Sequence, residues 1–292
     1  MAWRQFWQEE RVTILMNKKI KGRGKWFDRI CILCFMLILL LGVYRIFFMP
    51  RAGRADMISV NNQVQIFQIT GIIKASDLAA GTVIDEDTLD FEHLSDYFVI
   101  REIGADIFQY INGKSYVENP DISLEELRYI KLLHYNFDHK IQVGELIVNA
   151  DIAEEVSHIF QELFWQEYEI QSVYLIDHYW AGDGVSTDTR SIAQNNTSAF
   201  NYRVVPGTNR LSNHALGYAI DINPLQNPYV TYNEDGSFRT YYQDMEKYLD
   251  RSSGLPHLIT REDICYQIFT KYGFTWGGDW SGEKDYQHFQ KK

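Results

Sequence analysis

Two pairings of histidine with an acid stand out in the 292 residues. In SNHALGYAIDINP, Ser212 to Pro224, His214 and Asp221 lie seven residues apart with Gly217 between them. In GGDWSGEKDYQHF, Gly277 to Phe289, Asp285 stands three residues before His288. Imidazole nitrogen and carboxylate oxygen both ligate zinc, and a catalytic zinc site typically takes three protein ligands and leaves one position for water. One such pair arises by chance in many chains, so His214 and Asp221 carry little weight alone. The second cluster changes that. His214, Asp221 and His288 are the expected ligands of one Zn2+ per chain, and Asp285 is left over as a free acid.

A spare acid beside a metal has a use. Water, with a pKa of about 15.7, is a poor nucleophile, and zinc brings bound water to about 7 while a carboxylate takes the proton. Asp285 is the expected base, and it would pass the proton to a leaving amine. Attack on a carbonyl builds negative charge, so a cation belongs in the same pocket. Arg203, in NTSAFNYRVVPGTNRLSNH, is the candidate. Trp276 and Trp280 flank the second cluster and either pack in the core or shield the site from water; Trp280 is the one taken as a substrate contact.

These residues need elements to hold them. Tyr218 to Ile222 alternates as a strand that would fix the Asp221 carboxylate, and Gly217 would let the chain turn before it. Upstream, Gln142 to Asn149 alternates like a strand, Ile152 to Trp165 has helical periodicity, and Ile170 to Ile176 returns to strand. Ser123 to Leu133 has helical spacing with a capping-box start, Ser123 and Glu126, which predicts a surface helix. Ala181 to Ser198 reads as a polar loop whose Asp183, Asp188 and Arg190 either border the groove or, the preferred reading, are solvated, and a further helix is expected near Arg261 to Tyr272.

The N-terminus has another character. Residues 1–54 hold 11 Lys/Arg against 3 Asp/Glu, which leaves 17 basic and 36 acidic residues in the rest of the chain. Eight of the basic residues precede an apolar run, Ile30 to Tyr44, which resumes after Arg45 as Ile46 to Met49. A bilayer-spanning helix needs roughly 20 such residues. The positive-inside rule then puts the N-terminus in the cytoplasm and the body outside. A cleaved signal peptide needs the same ingredients, but its basic region would be unusually long and PRAGRADM is a poor cleavage site. The expected organisation is a cytoplasmic basic segment at 1–29, a single transmembrane signal anchor at 30–49, a juxtamembrane linker or small accessory element at 50–100, and the zinc domain at 101–292.

The composition excludes other classes. An acidic body argues against nucleic acid, which wants a basic face. Asp85, Glu86 and Asp87 lack the spacing and glycine of a calcium loop. Cys31 and Cys34 sit inside the apolar run and Cys265 stands alone, so no disulfide is expected outside the membrane. His93, His134, His139, His158 and His178 have no comparable partner, and His257 falls in a loop.

NNTSAFNYR, SNHALGYAIDINPLQNPYV and FTWGGDWSGEKDYQHF, in this order, resemble the zinc D-alanyl-D-alanine carboxypeptidase family that also contains L-alanyl-D-glutamate endopeptidases. ELRYIKLLHYNF and GELIVNADIAEEVSHIFQEL extend the resemblance to roughly Ile103 to Phe289. The resemblance implies an α+β, hedgehog/DD-peptidase-like domain whose small antiparallel sheet carries the zinc. It implies the ligand set His214, Asp221 and His288, the acid/base Asp285, an arginine near the reacting carbonyl at Arg203, and a substrate-pocket position at Ser212. The substrate implied is a peptidoglycan stem peptide, met at the outer face of the cell membrane. Asp285 stands where the dipeptidase branch generally has Glu, which leans toward the endopeptidase branch. The competing expectation is a catalytically silent zinc module that binds the cell wall, for which an acid beside the metal has no use.

Overall fold

The longest pairing in the molecule is a hairpin between β3, Leu127–Tyr135, and β4, Ile141–Asn149, in antiparallel register from Leu127 opposite Asn149 to Tyr135 opposite Ile141. The computed structural model describes residues 78–240 and 243–291. β1, Val83–Ile84, and β2, Val99–Glu102, flank the hairpin and complete a four-stranded sheet of order β1-β4-β3-β2. Helix α1, Ala105–Ile111, follows β2.

Both faces of this sheet are covered, and that decides its sequence. On one face α2, Ala153–Trp165, buries Val156, Ile159, Phe160, Leu163 and Phe164, the i, i+3, i+4, i+7, i+8 stripe of an amphipathic helix. Ile130, Leu132, Leu146 and Val148 belong to the same core. On the other face Tyr129 and Ile147, opposite each other in the ladder, join Ile107, Ile111, Leu175 and Phe200 in a smaller cluster. A strand buried on both faces reads as a continuous apolar run instead of an alternation.

That is why the helix expected over Ser123 to Leu133 is not formed. The Glu126 carboxylate does accept from the Ser123 N–H at 2.8 Å, but the box closes a single 3-10 turn, Leu124–Glu126, after which the chain extends into β3. The Ile170 to Ile176 strand is also shorter than expected: β5, Ser172–Val173, pairs in parallel with β6, Asn196–Thr197.

The region expected as a solvated loop contains helix α3, Gly184–Ala193. Asp183 caps it by accepting from Val185 and Ser186 N–H, both at 2.9 Å. Its buried positions are Thr187, Ser191 and Ile192, so no apolar stripe announces it.

The remaining strands are short. β7, Ala219–Asp221, lies at the edge of a second sheet, β10-β12-β7, with β10 at Thr275–Trp276 and β12 at His288–Gln290. A third sheet, β11-β8-β9, pairs Lys284–Asp285 with Tyr229–Tyr232, which in turn pairs with Phe238–Arg239. Helix α4, Ile264–Lys271, precedes β10, and its Phe269 stacks on Phe289 of β12 at 4.2 Å. The fold is thus α+β with small antiparallel sheets.

Of the stretch expected as a linker or accessory element, residues 78–100 are described, and Ile84, Leu89, Leu94, Tyr97 and Phe98 lie in the same core as α2. The expected membrane segment at 30–49 lies outside the described residues, as do Cys31 and Cys34. Among the described residues no helix is long and apolar enough to cross a membrane. Cys265 is a free, buried thiol.

Gly217 joins the main sheet to the second one. It has φ +73°, its carbonyl accepts from Asn149 N–H at 2.9 Å, and a Cβ there would stand 2.5 Å from that same nitrogen. Gly217→Ala is expected to destabilise the fold by about 2 kcal/mol or more, from left-handed strain plus the clash. Thermal unfolding followed by circular dichroism checks this; an unshifted midpoint would mean that the turn and the end of β4 move apart freely.

Candidate metal centre

Asp221 and His288 meet because β7 and β12 pair in one particular register, Asp221 opposite His288, Ile220 opposite Phe289 and Ala219 opposite Gln290. Side chains directly opposite in an antiparallel pair share a face with Cβ atoms about 4.5–5.5 Å apart. Ile220 and Phe289 point the other way, into the core, where both are fully buried. Burial of this apolar pair fixes the register, since a one-residue slip would turn the ligands inward. His214 arrives on a 3-10 turn, Asn213–Leu216, capped by Ser212, whose hydroxyl accepts from the His214 N–H at 3.3 Å. Gly217 ends the turn and leads into β7.

The outer nitrogen of each imidazole is engaged. His214 Nδ1 donates to the Ala199 carbonyl at 2.6 Å, and His288 Nε2 donates to Gln290 Oε1 at 3.0 Å. Asn213 Nδ2 also donates to Gln290 Oε1, which orients that amide. The inner nitrogens, His214 Nε2 and His288 Nδ1, therefore turn toward one another at 3.2 Å, with Asp221 Oδ1 at 3.4 Å from the first and 3.0 Å from the second. Asp221 Oδ2 accepts from Gln287 Nε2 at 3.3 Å. Such outer hydrogen bonds are what set the tautomer and aim of metal-ligating histidines.

These three donors suit a metal. Zinc bonds to nitrogen and oxygen are about 2.0–2.2 Å, so ligand atoms at the corners of a tetrahedron stand roughly 3.3–3.5 Å apart. The observed separations of 3.0, 3.2 and 3.4 Å approach those edges, and all three residues are buried. Three lone pairs facing one point need a positive charge between them. The same arrangement draws a proton to His288: burial works against it, but the hydrogen bond and charge of Asp221 outweigh burial and push the imidazole up to about 9. Burial likewise opposes ionisation of Asp221, yet the two imidazoles hold its carboxyl well below the usual range.

The cluster opens into a cavity of about 620 Å³ that also takes in Arg203, Ser212, Trp280 and Asp285. Asp285 sits on β11 opposite Tyr229, backed by Gly277, where a Cβ would stand 2.5 Å from the Asp285 carbonyl oxygen. Its Oδ1 is sealed from solvent with no hydrogen-bond partner, and burial pushes the carboxyl up to about 8. Trp280 tilts its ring 5.5 Å from that of His288. Trp276, by contrast, is buried in the core and donates Nε1–H to the Tyr286 carbonyl at 2.8 Å. His257 stacks on Phe137 at 3.7 Å and does not line the cavity.

Asp188, for which the sequence favoured a solvated loop over the border of the groove, lies in the cavity wall. It projects from α3 with Ile192, one turn on, and its Oδ2 accepts from Arg203 Nη2 at 2.6 Å. Both side chains are largely buried, and burial raises the Asp188 carboxyl while Arg203 opposes the rise. The one signal in the sequence was Asp183-Gly184, a helix start without an apolar stripe. Gln290 was missed, although it lies two residues after His288, on the same face of a strand.

Residues 206–291 match the D-alanyl-D-alanine carboxypeptidase family. The matched segment is similar to that peptidase family, and it spans the three clustered residues, Ser212, Trp280 and Asp285. Asp188 and Arg203 lie before it. Comparison with curated proteins and with solved structures gives no match.

A proton on His288 and a metal ion compete for one nitrogen, so metal affinity of the site is expected to fall as pH drops below about 9 and to flatten above it. Titration against a chromogenic chelator over this range measures the dependence. An affinity independent of pH would remove His288 from the ligand set.

Proposed function

We propose that this chain is a zinc metallopeptidase that hydrolyses a peptide bond in peptidoglycan stem peptides, acting as a D-alanyl-D-alanine carboxypeptidase or an L-alanyl-D-glutamate endopeptidase. The observation that carries the reading is the convergence of His214, Asp221 and His288 beside a partnerless acid, Asp285, in one open cavity. A binding module has no need of that acid.

When bound to the three ligands, zinc supplies a Lewis acid that polarises a carbonyl and renders water nucleophilic near neutral pH. The chain's own groups do the rest. Asp285 accepts the proton of the attacking water and returns it to the leaving nitrogen; its buried, unpartnered carboxyl binds a proton readily. Arg203 offers positive charge to the oxyanion that forms on the carbonyl, and Asp188 keeps the guanidinium from swinging away. Ser212 shapes the turn under the substrate, and Trp280 forms an apolar wall beside His288. The cavity is of a size that holds a short peptide segment.

A location outside the cell membrane follows from the basic head and the apolar run at 30–49, which are read as a signal anchor with a cytoplasmic N-terminus. There the domain meets the wall.

Two variants separate binding from chemistry. The wild type is expected to hold close to one zinc per chain and His214→Ala to lose it, while Asp285→Ala keeps the metal and loses turnover by about 100-fold or more, on the scale of a general acid/base. Metal content by emission spectroscopy and mass spectrometry of digested muropeptides read the two outcomes. The product masses distinguish D-alanine release from cleavage between L-alanine and D-glutamate. Normal turnover by Asp285→Ala would remove that residue from the reaction.

A further inference from the structure

The cavity is lined by four carboxylates, Asp188, Asp221, Glu283 and Asp285, and by only two arginines. Arg203 is committed, with Asp188 at 2.6 Å and both side chains withdrawn from solvent. Arg210 is not. It is exposed at the cavity rim, and its guanidinium makes no hydrogen bond or ion pair with the described residues. An unpaired cation beside four acids is what an anionic group of a substrate would need on entering.

The backbone under Arg210 is built to hold it in place. Val204 bridges Leu211, Val205 N–H donates to the Arg210 carbonyl at 2.8 Å, and Thr208 closes the turn by accepting from Arg210 N–H at 3.2 Å while donating Oγ1–H to the Val205 carbonyl at 2.9 Å. Below the turn, Ser212 N–H donates to the Arg203 carbonyl at 3.1 Å. Arg203, Arg210 and Ser212 therefore belong to one hydrogen-bonded hairpin, and all three line the cavity.

Resting on the peptidase reading above, we propose that Arg210 is a specificity-determining residue that binds a free carboxylate on the carbon next to the scissile nitrogen. Both candidate bonds present that group. In a terminal D-alanine it is the chain's own end. In D-glutamate joined onward through its γ-carboxyl it is the α-carboxyl, on the same carbon relative to the nitrogen that leaves. Arg210 thus reads what the two bonds share, and it disfavours stem peptides in which this carboxyl is an amide.

The test crosses enzyme with substrate. Zinc-loaded full-length wild type, Arg210→Ala and Arg210→Lys are each assayed on a stem peptide that holds both candidate bonds and on the same peptide with the terminal D-alanine carboxyl and the D-glutamate α-carboxyl converted to carboxamides. The wild type is expected to prefer the carboxylate by about 10- to 100-fold in kcat/KM, mostly through KM, the range of a hydrogen bond to a charged group. In Arg210→Ala the preference collapses toward one, and Arg210→Lys restores part of it. Unchanged metal content and melting temperature in both variants exclude a folding defect. Equal cleavage of both peptides by the wild type, or an undiminished preference in Arg210→Ala, overturns the assignment while leaving the peptidase reading intact. Cleavage of neither peptide by the wild type overturns both.

Discussion

The pairing of Asp221 with His288 across β7 and β12 is the constraint on which the site depends. Each strand is three residues long, too short to hold a register by hydrogen bonds alone. The register is held from behind, by Ile220 and Phe289 against Phe269 and the core of α2 and the main sheet. Hydrophobic burial on one face thus positions polar donors on the other. The geometry that gathers three lone pairs is stabilised by residues that never touch a ligand.

The surroundings follow the same logic outward. Ala199 and Gln290 fix the tautomers, Asn213 fixes Gln290, and Gln287 braces Asp221. Beyond them Asp188 pins Arg203 from a helix whose own start is set by Asp183. Asp285 is the carboxylate of the site whose buried oxygen, Oδ1, has no hydrogen-bond partner. A buried acid left without a hydrogen bond in such a cavity is where reactivity concentrates.

What the sequence made legible was local. His214, Gly217 and Asp221 fall within one short segment, and Gly217 does turn the chain as the reading required. β4 and α2 also lie close to where their periodicities put them, because each shows one clear pattern. What stayed hidden depended on what packs against a segment from outside. The run from Ser123 to Leu133 looked helical because the apolar strand that begins at Leu127 is covered on both faces and loses the alternation that marks a strand. α3 looked like a loop because its buried side is Thr187 and Ser191 as much as Ile192, and Asp188 was read as solvated with it. The contribution of Gln290 needed the fold, since only the closed site shows which nitrogen of His288 faces outward.

The separation of the ligands along the chain has a consequence for the polymer itself. Asp221 and His288 are 67 residues apart. An ion held by both acts as a cross-link, and it confines the intervening segment in any state in which it stays bound. In the chain-entropy picture, closing a loop of that length is worth about 4 kcal/mol against the unfolded ensemble. With Cys265 free, no disulfide supplies such a constraint among the described residues. The metal would then serve as the staple of this domain as well as its reactive centre.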